Sequence, residues 1–466
     1  MNRRILAAIA VALVVIIVAV VYWQLVASVP SAEARPIRIG LVAPYSSPIG
    51  QDMDRAARMA VDEINKAGGI WVSSWNTRVQ VVLYPADTIK DAPDAAVVPV
   101  ERVVLQDQVD LLIGGYGSAA TLANEKVAIE NRVPYIITGA SNRLVTRRGP
   151  QANYGGLPEG DPNRIDDAEG MSYMFHYCTT TYHYSKTVVD FFAEVMKPMI
   201  DNQYGFDTSR QFRLAVLYKN DAFGSGVLSA SKYWIQNQSL PIEIVAERKV
   251  ETSTIAFQAD LTAVKATNPD AVFVVHDPDK TPDIIKQGLN DVGLKSVYIV
   301  IENNEDPAFF HALGQVGEGQ LLESKFAPFA GPPYYLPAMD SYVKNFKERS
   351  NNVIPGMMGA DTYDAFYIVK NAIERAGTIA KKAVRDAIET TNMDQMLIMT
   401  ETGKIQFSTG LDYHEIAPVT FIEQLVWNAE VSDLQSKIVW PASVSGVGTI
   451  KQKDFTLPAG YQPGSS

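Results

Sequence analysis

The chemistry this chain offers is gathered at short glycine- and hydroxyl-rich junctions. Gly114-Gly115-Tyr116-Gly117-Ser118 follows the apolar run Val109–Ile113 and precedes a helical pattern opening at about Ser118-Ala119-Ala120-Thr121. Backbone N–H groups at a helix N-terminus, with the Ser118 hydroxyl beside them, make a receptor for a small anion such as a carboxylate. A second junction, Thr138-Gly139-Ala140-Ser141-Asn142, adds another hydroxyl and exposed backbone at a neighbouring strand end. From position alone, plain helix capping accounts for Ser118 and Ser141 equally well. Further on, Val275-His276-Asp277-Pro278-Asp279 and Ile301-Glu302-Asn303-Asn304-Glu305-Asp306 place acids just past two more apolar runs. Carboxylates there suit an ammonium group, with capping again the plainer alternative because Asp279 and Asp306 precede helical segments. Tyr173, Tyr177, Tyr182, Tyr184 and Phe223 could wall such a site, although single aromatics are more often core residues.

Signatures of turnover fail one by one. The five histidines, His176, His183, His276, His311 and His414, form no H-E-x-x-H pair and no zinc-type His/Cys cluster. Phe223-Gly224-Ser225-Gly226 lacks the leading glycine of a nucleophile elbow. The glycines at 114–117 have neither dinucleotide spacing nor a Gly-Lys-Ser/Thr ending, so neither a cofactor nor a nucleotide is expected. The single Cys178 excludes an internal disulfide framework. Binding without chemistry is the expectation, with no catalytic residue, metal or cofactor.

Those junctions need elements to hold them, and the chain alternates strand and helix from Pro36 onward. Ile37–Val42 reads as a strand, and Met53, Ala56, Ala57, Ala60, Val61 and Ile64 recur at helical spacing before Gly68-Gly69. Strands at 79–84, 109–113 and 134–138 alternate with helices at 95–106 and 119–131. Residues 141–169, rich in Gly, Pro, Asn and Asp, break the rhythm as a long loop. The alternation restarts with a helix over 187–200 and strands at 212–218, 242–246, 271–275 and 297–301. Helices are expected over 225–236, 255–267, 282–292, 337–349, 358–376 and 379–390. Then come strands at 403–407 and within 418–440, and a frayed end over 458–466. Two α/β runs separated by a break imply two parallel-sheet lobes around a cleft, where ligands bind outside the carboxyl ends of the strands.

Composition adds constraints. At about 100–200 residues per domain, 466 residues predict two or three domains. A net charge of −11 argues against a nucleic-acid binder. The first 35 residues carry Arg3, Arg4 and Arg35 against Glu33, so they contribute +2 and leave −13 on the remainder. After Arg3-Arg4, the segment 5–26 is apolar enough and long enough to span a bilayer, with the rest of the chain outside. A cleavable signal peptide is the competing reading, because Ala32-Glu33-Ala34 offers an A-x-A site.

Ile37-Arg38-Ile39-Gly40-Leu41-Val42-Ala43-Pro44, followed by Ala60-Val61-Asp62-Glu63-Ile64-Asn65-Lys66-Ala67-Gly68-Gly69-Ile70, resembles the opening of type I periplasmic binding proteins. More narrowly, the chain resembles the leucine/isoleucine/valine-binding branch of ABC-transporter substrate-binding proteins. The likeness continues through residues 113–121, Tyr-Lys-Asn-Asp-Ala-Phe-Gly-Ser-Gly at 218–226, 270–275, Gly-Ala-Asp-Thr-Tyr-Asp at 359–364, and Ile438-Val439-Trp440-Pro441. It implies a carboxylate site at Ser118, Gly139 (through its backbone) and Ser141, an ammonium-binding Glu302 and an aromatic wall at Phe223. The family's second aromatic has no counterpart near Asp277-Pro278, nor has its acid near Thr179–Tyr182, so Asp277 is expected to stand in. The loop 146–170 is longer than the family's.

The expected fold is α/β, two doubly wound parallel-sheet lobes around a ligand cleft, preceded by an N-terminal apolar helix. Residues 1–35 are a signal peptide or transmembrane anchor with its linker. Lobe 1 is 36–180 with 326–408, lobe 2 is 181–325 with 409–441, and 442–466 form a tail. The resemblance implies an extracytoplasmic receptor of an ABC importer that closes on a small amino acid-like ligand. Its partners would be a membrane permease and a separate ATPase, since this chain has no P-loop. A ligand-sensing receptor domain without a transport role is the alternative.

Overall fold

The computed structural model describes residues 34–464 except 89–91, 151–155, 306, 329–335, 442, 445–447 and 450–453. The expected apolar helix over 5–26 lies outside the described residues, as does Asp306. Among the described residues, no helix is long and apolar enough to cross a membrane.

The first sheet has five parallel strands: β1 (Ile37–Ala43), β2 (Val81–Asp87), β3 (Leu111–Gly114), β4 (Tyr135–Ile137) and β5 (Met174–His176), in the order β2-β1-β3-β4-β5. The residues of β3, β4 and β5 are buried throughout, with core clusters on the two faces of the sheet, whereas the edge strand β2 is partly exposed. Helix α1 (Pro48–Lys66) shows how the local sequence covers one such face. Ser47 caps it by accepting from Gly50 N, and Pro48 opens it where no N–H is needed. The stripe Ile49, Met53, Ala56, Ala57, Ala60 and Ile64 is buried, and Gly68 and Gly69 leave the helix at positive φ.

The second sheet comprises β6 (Phe212–Lys219), β7 (Ile242–Val250), β8 (Ala271–Val275), β9 (Val297–Val300), β10 (Leu321–Ser324), β11 (Phe421–Asn428) and β12 (Asp433–Trp440). Its first five strands are parallel in the order β7-β6-β8-β9-β10, the same pattern as the first sheet. β11 and β12 then add antiparallel beyond β10. In each sheet the strand order reverses beside the first strand, which leaves a crevice at the carboxyl ends.

The chain passes between the sheets three times: after β5, after β10 and before β11. Two of these passages are hydrogen-bonded together, His176 N donating to His414 O at 2.8 Å and Ile416 N to His176 O at 3.2 Å. Beyond α4 (Gln258–Lys265), helices α5 (Pro337–Arg349) and α6 (Met357–Ala376) pack into the core around β1, whereas Phe421, on the last passage, enters β11.

Several local expectations are corrected. The helix expected over 187–200 starts at Thr181, where Thr180 and His183 form a reciprocal cap, and it continues through a wider turn at 192–196 to Tyr204. The strand expected over 403–407 shortens to Lys404–Ile405. The long break at 141–169 holds a helical turn at Leu144–Arg147, tied down by Arg143 and Arg147 on Glu415. The end expected to fray over 458–466 is packed as far as Gly464: Tyr461 joins Phe455 in the second sheet's core, and Gly464 N donates to Asp270 Oδ1 at 2.9 Å. Two aromatic anchors and paired backbone outweigh the loose composition around them.

Gly114, the last residue of β3, takes φ +116, and a Cβ there would lie 2.1 Å from Val42 O. Gly114→Ala is therefore expected to destabilise the protein by about 2 kcal/mol or more. A shifted denaturation midpoint at unchanged slope checks this.

Candidate functional site

The crevices of the two sheets face one another, and their strand ends line a narrow cavity of about 20 Å³. All six residues singled out from sequence line it: Ser118, Gly139 and Ser141 from the first sheet, Phe223, Asp277 and Glu302 from the second. Tyr116, Lys219 and Asp277 also line a wider cleft of about 900 Å³.

On the first wall, Ser118 begins helix α2 (Ser118–Glu130), but Gly117 is its N-cap and no side chain caps the helix. The Ser118 hydroxyl accepts from Asn142 N at 3.2 Å. Ser141 Oγ accepts from the Tyr184 hydroxyl at 2.7 Å. Neither serine therefore serves as a cap. Because a hydroxyl both accepts and donates, each keeps its own proton available to a ligand oxygen. The first N–H groups of this helix have no partner within it, and they point the same way. Gly139 is held closely, since a Cβ there would sit 3.0 Å from both Gly115 O and Tyr116 Cα. Its lack of a side chain keeps backbone exposed to the cavity.

The second wall is charged. Glu302 follows β9 by two residues and is 3% exposed. Burial raises its carboxyl above the ordinary glutamate range, against the opposing pull of Lys325. Lys325 leaves β10 at the return passage and forms a 2.9 Å ion pair with Asp361 of α6, both side chains being fully buried. Burial pulls the Lys325 ammonium down, but Asp361 and Glu302 outweigh it and hold it above the ordinary lysine value. Burial also pushes the carboxyls of Asp361 and Glu323 well up. One ammonium thus serves carboxylates reaching it from both sides of the cleft.

Asp277 lines the cavity with its charge already engaged. Lys219, the last residue of β6 and 2% exposed, pairs with it at 2.8 Å and with Asp221 at 3.0 Å. Asp221 in turn caps α3 (Ala222–Asn237) by accepting from Gly224 N at 2.8 Å. This fixes the start of the helix that carries Phe223 to the cavity wall.

Of the other aromatics considered from sequence, Tyr173, Tyr177 and Tyr184 are core residues. Tyr182 packs on Tyr233 and Trp234. Tyr116 instead lines the cavity, from the same junction that supplies Ser118. Lys219 was within reach of the same strand-end rule that found Asp277. Lys325 and Asp361 carry no comparable signal, because only the fold brings a strand end and a distant helix together. Among the described residues, no His, Cys, Asp or Glu cluster is arranged to hold a metal ion.

Comparison with known proteins follows the same outline. The Periplasmic binding protein family matches residues 36–423. The Leu/Ile/Val-binding protein homolog 7 of Brucella abortus is 20% identical over 389 residues, covering 81% of this chain and 85% of its own. A branched-chain amino acid transporter substrate binding protein from Streptococcus pneumoniae, solved with isoleucine, superposes with a TM-score of 0.66 at 19% identity. It covers 87% of this chain and 100% of its own. An ABC-transporter solute binding protein from R. palustris, solved with benzoate, gives 0.66 at 15% identity, covering 91% and 99%.

Lys325→Met leaves Asp361 and Glu302 without their shared counter-charge. It is expected to destabilise the protein by about 3 kcal/mol or more, since removing one partner of a buried pair strands the other. Lys325→Met/Asp361→Leu should recover much of that loss. Equilibrium denaturation of the two variants measures both effects.

Proposed function

The chain belongs to the Periplasmic binding protein family, whose members are extracytoplasmic solute-binding proteins, and on that premise we propose that it captures a small amino acid-like ligand for an ABC importer. The observation that carries the reading is the arrangement of one cavity. Hydroxyl and N–H donors stand on one wall, at Ser118, Gly139 and Ser141, and the buried Glu302 carboxylate stands on the other. Such a pair of walls accommodates a carboxylate and an ammonium on one molecule. The relatives' ligands are consistent with this: branched-chain amino acids by name in the Brucella protein, isoleucine in the Streptococcus one. The benzoate of the R. palustris protein shares only the carboxylate.

In this reading 36–180 with 326–408 and 181–325 with 409–441 move as two lobes. The three passages bend, and the ligand favours the closed form because only there does it touch both walls. The closed form docks on a permease driven by a separate ATPase, and the protein carries out no turnover. Residues 5–26 export the chain and anchor it at the outer face of the membrane.

Thermal-shift screening against amino acids, followed by calorimetry on the hits, tests the proposal. Ser118→Ala and Glu302→Ala should each weaken binding by about tenfold or more, as loss of a buried hydrogen bond or charge partner requires. Unchanged affinity in both variants would remove the site assignment. Product formation from the ligand would remove the binding-only reading.

A pH dependence follows with a defined sign. Burial raises the unliganded Glu302 carboxyl above its ordinary value, so below that raised value an incoming ammonium must displace a proton. Affinity should rise as pH increases towards it and level off above. Titration at pH 5 and pH 8 should show tighter binding at the higher pH, with the difference lost in Glu302→Gln.

A further inference from the structure

Three consecutive residues at the end of the first wall, Ser141, Asn142 and Arg143, each touch the second lobe. Ser141 Oγ accepts from the Tyr184 hydroxyl at 2.7 Å. The Arg143 guanidinium lies 4.3 Å over the Tyr182 ring, and its Nε donates to Glu415 at 3.1 Å. Those contacts sit beside the passages between the sheets, because Tyr182 and Tyr184 follow one passage and Glu415 lies on another. Asn142 instead reaches the opposite wall. Its Nδ2 donates to Ala222 O, in the first turn of α3, at 2.9 Å. That carbonyl belongs to the residue before Phe223, which lines the cavity.

The other polar atoms of Asn142 are equally committed. Its Oδ1 accepts from Leu144 N at 2.9 Å, an Asx turn that leads into the helical turn at Leu144–Arg147. Its backbone N donates to the Ser118 hydroxyl at 3.2 Å. One residue therefore sets the Ser118 oxygen on one wall and grips the helix start beside Phe223 on the other. The facing helix is built for this approach. Asp221 fixes its first turn through Gly224 N, and a Cβ at Gly226 would stand 3.1 Å from Thr181 Cγ2 and 3.6 Å from Asn142 Nδ2. We infer that Asn142 is a positioning residue for ligand capture: it latches the two lobes through protein contacts alone, so that the walls come into register before a ligand bridges them. This rests on the two-lobe motion proposed above and not on the ligand's identity. A bond made only in the closed form raises the closed population, and a ligand that needs both walls then binds more tightly.

Spin labels at Gln51→Cys and Ile255→Cys in the full chain, held in detergent, measure the cleft's width. Both residues are exposed and lie two positions beyond Ile49 and Ser253 of the wide cleft, and the buried Cys178 takes no label. Without ligand, the unaltered chain should show a major short distance. Asn142→Asp keeps the bond from Leu144 N but has no proton for Ala222 O. It should lower the ratio of short to long distances about fivefold or more, the worth of one hydrogen bond. Asn142→Ser, too short to reach Ala222, should do the same, and it keeps the test open if the first variant fails to fold. L-isoleucine should bind both variants several-fold less tightly than the unaltered chain. A long distance alone in the unaltered chain would overturn the inference. So would an unchanged ratio in both variants, even with a lowered melting temperature, because the side chain would then be structural only. One fixed distance in every sample, with and without bound L-isoleucine, would overturn the two-lobe motion as well. Failure of L-isoleucine to bind would count against that ligand, and the ligand-free distances would still decide the latch.

Discussion

The Lys325–Asp361 ion pair is wholly buried where the chain returns from the second sheet to the first, and the electrostatics of the cleft depend on it. Asp361 belongs to α6, which packs with the first sheet, and Glu302 leaves a strand of the second, so one ammonium compensates carboxylates from both sides of the cavity. Taking charges out of water costs several kcal/mol per ion before any pairing is counted. A lysine placed there is a poor way to gain stability and a good way to hold acidic groups in a dry site. Glu302 can be presented to a ligand because Lys325 stands behind it.

The second wall follows the same logic at smaller scale. Lys219 holds Asp221 and Asp277 in one cluster, and Asp221 spends its carboxylate capping the helix that bears Phe223. Asp277 therefore comes to the cavity already paired. Glu302, at the turn after β9, lines the cavity with its Oε2 unpaired among the described residues.

Two sheets with the same strand order, set with their carboxyl ends facing, explain why residues 184 positions apart, such as Ser118 and Glu302, share one small space. Parallel strands direct every loop at one end of a sheet toward the same crevice. With two such sheets, each contributes one wall. Hydrogen bonds between His176, His414 and Ile416 gather two of the three passages between them into one place. A bend there would change the distance between walls while leaving each wall intact.

Much of this was legible from residue order. Apolar runs, glycine junctions and helical stripes located the strands, and the rule that function sits just past a strand's carboxyl end picked out Ser118, Ser141, Asp277 and Glu302, which line the cavity. The family likeness singled out Gly139 within its junction and Phe223 among the candidate aromatics. Capping could not be separated from ligand donation in the sequence, because both use the same hydroxyl; only the hydrogen bonds to Asn142 N and Tyr184 distinguish them. The packed C-terminus was misread because composition records flexibility residue by residue, whereas Phe455 and Tyr461 act through the core they reach. The sequence by itself determined the alternating architecture and the chemical types at each strand end, since periodicity and turn chemistry are local. The tertiary structure alone decided which charges meet. Lys325, Asp361 and Glu302 come from three separate elements, and their pairing depends on distance and on the exclusion of water, neither of which is written along the chain.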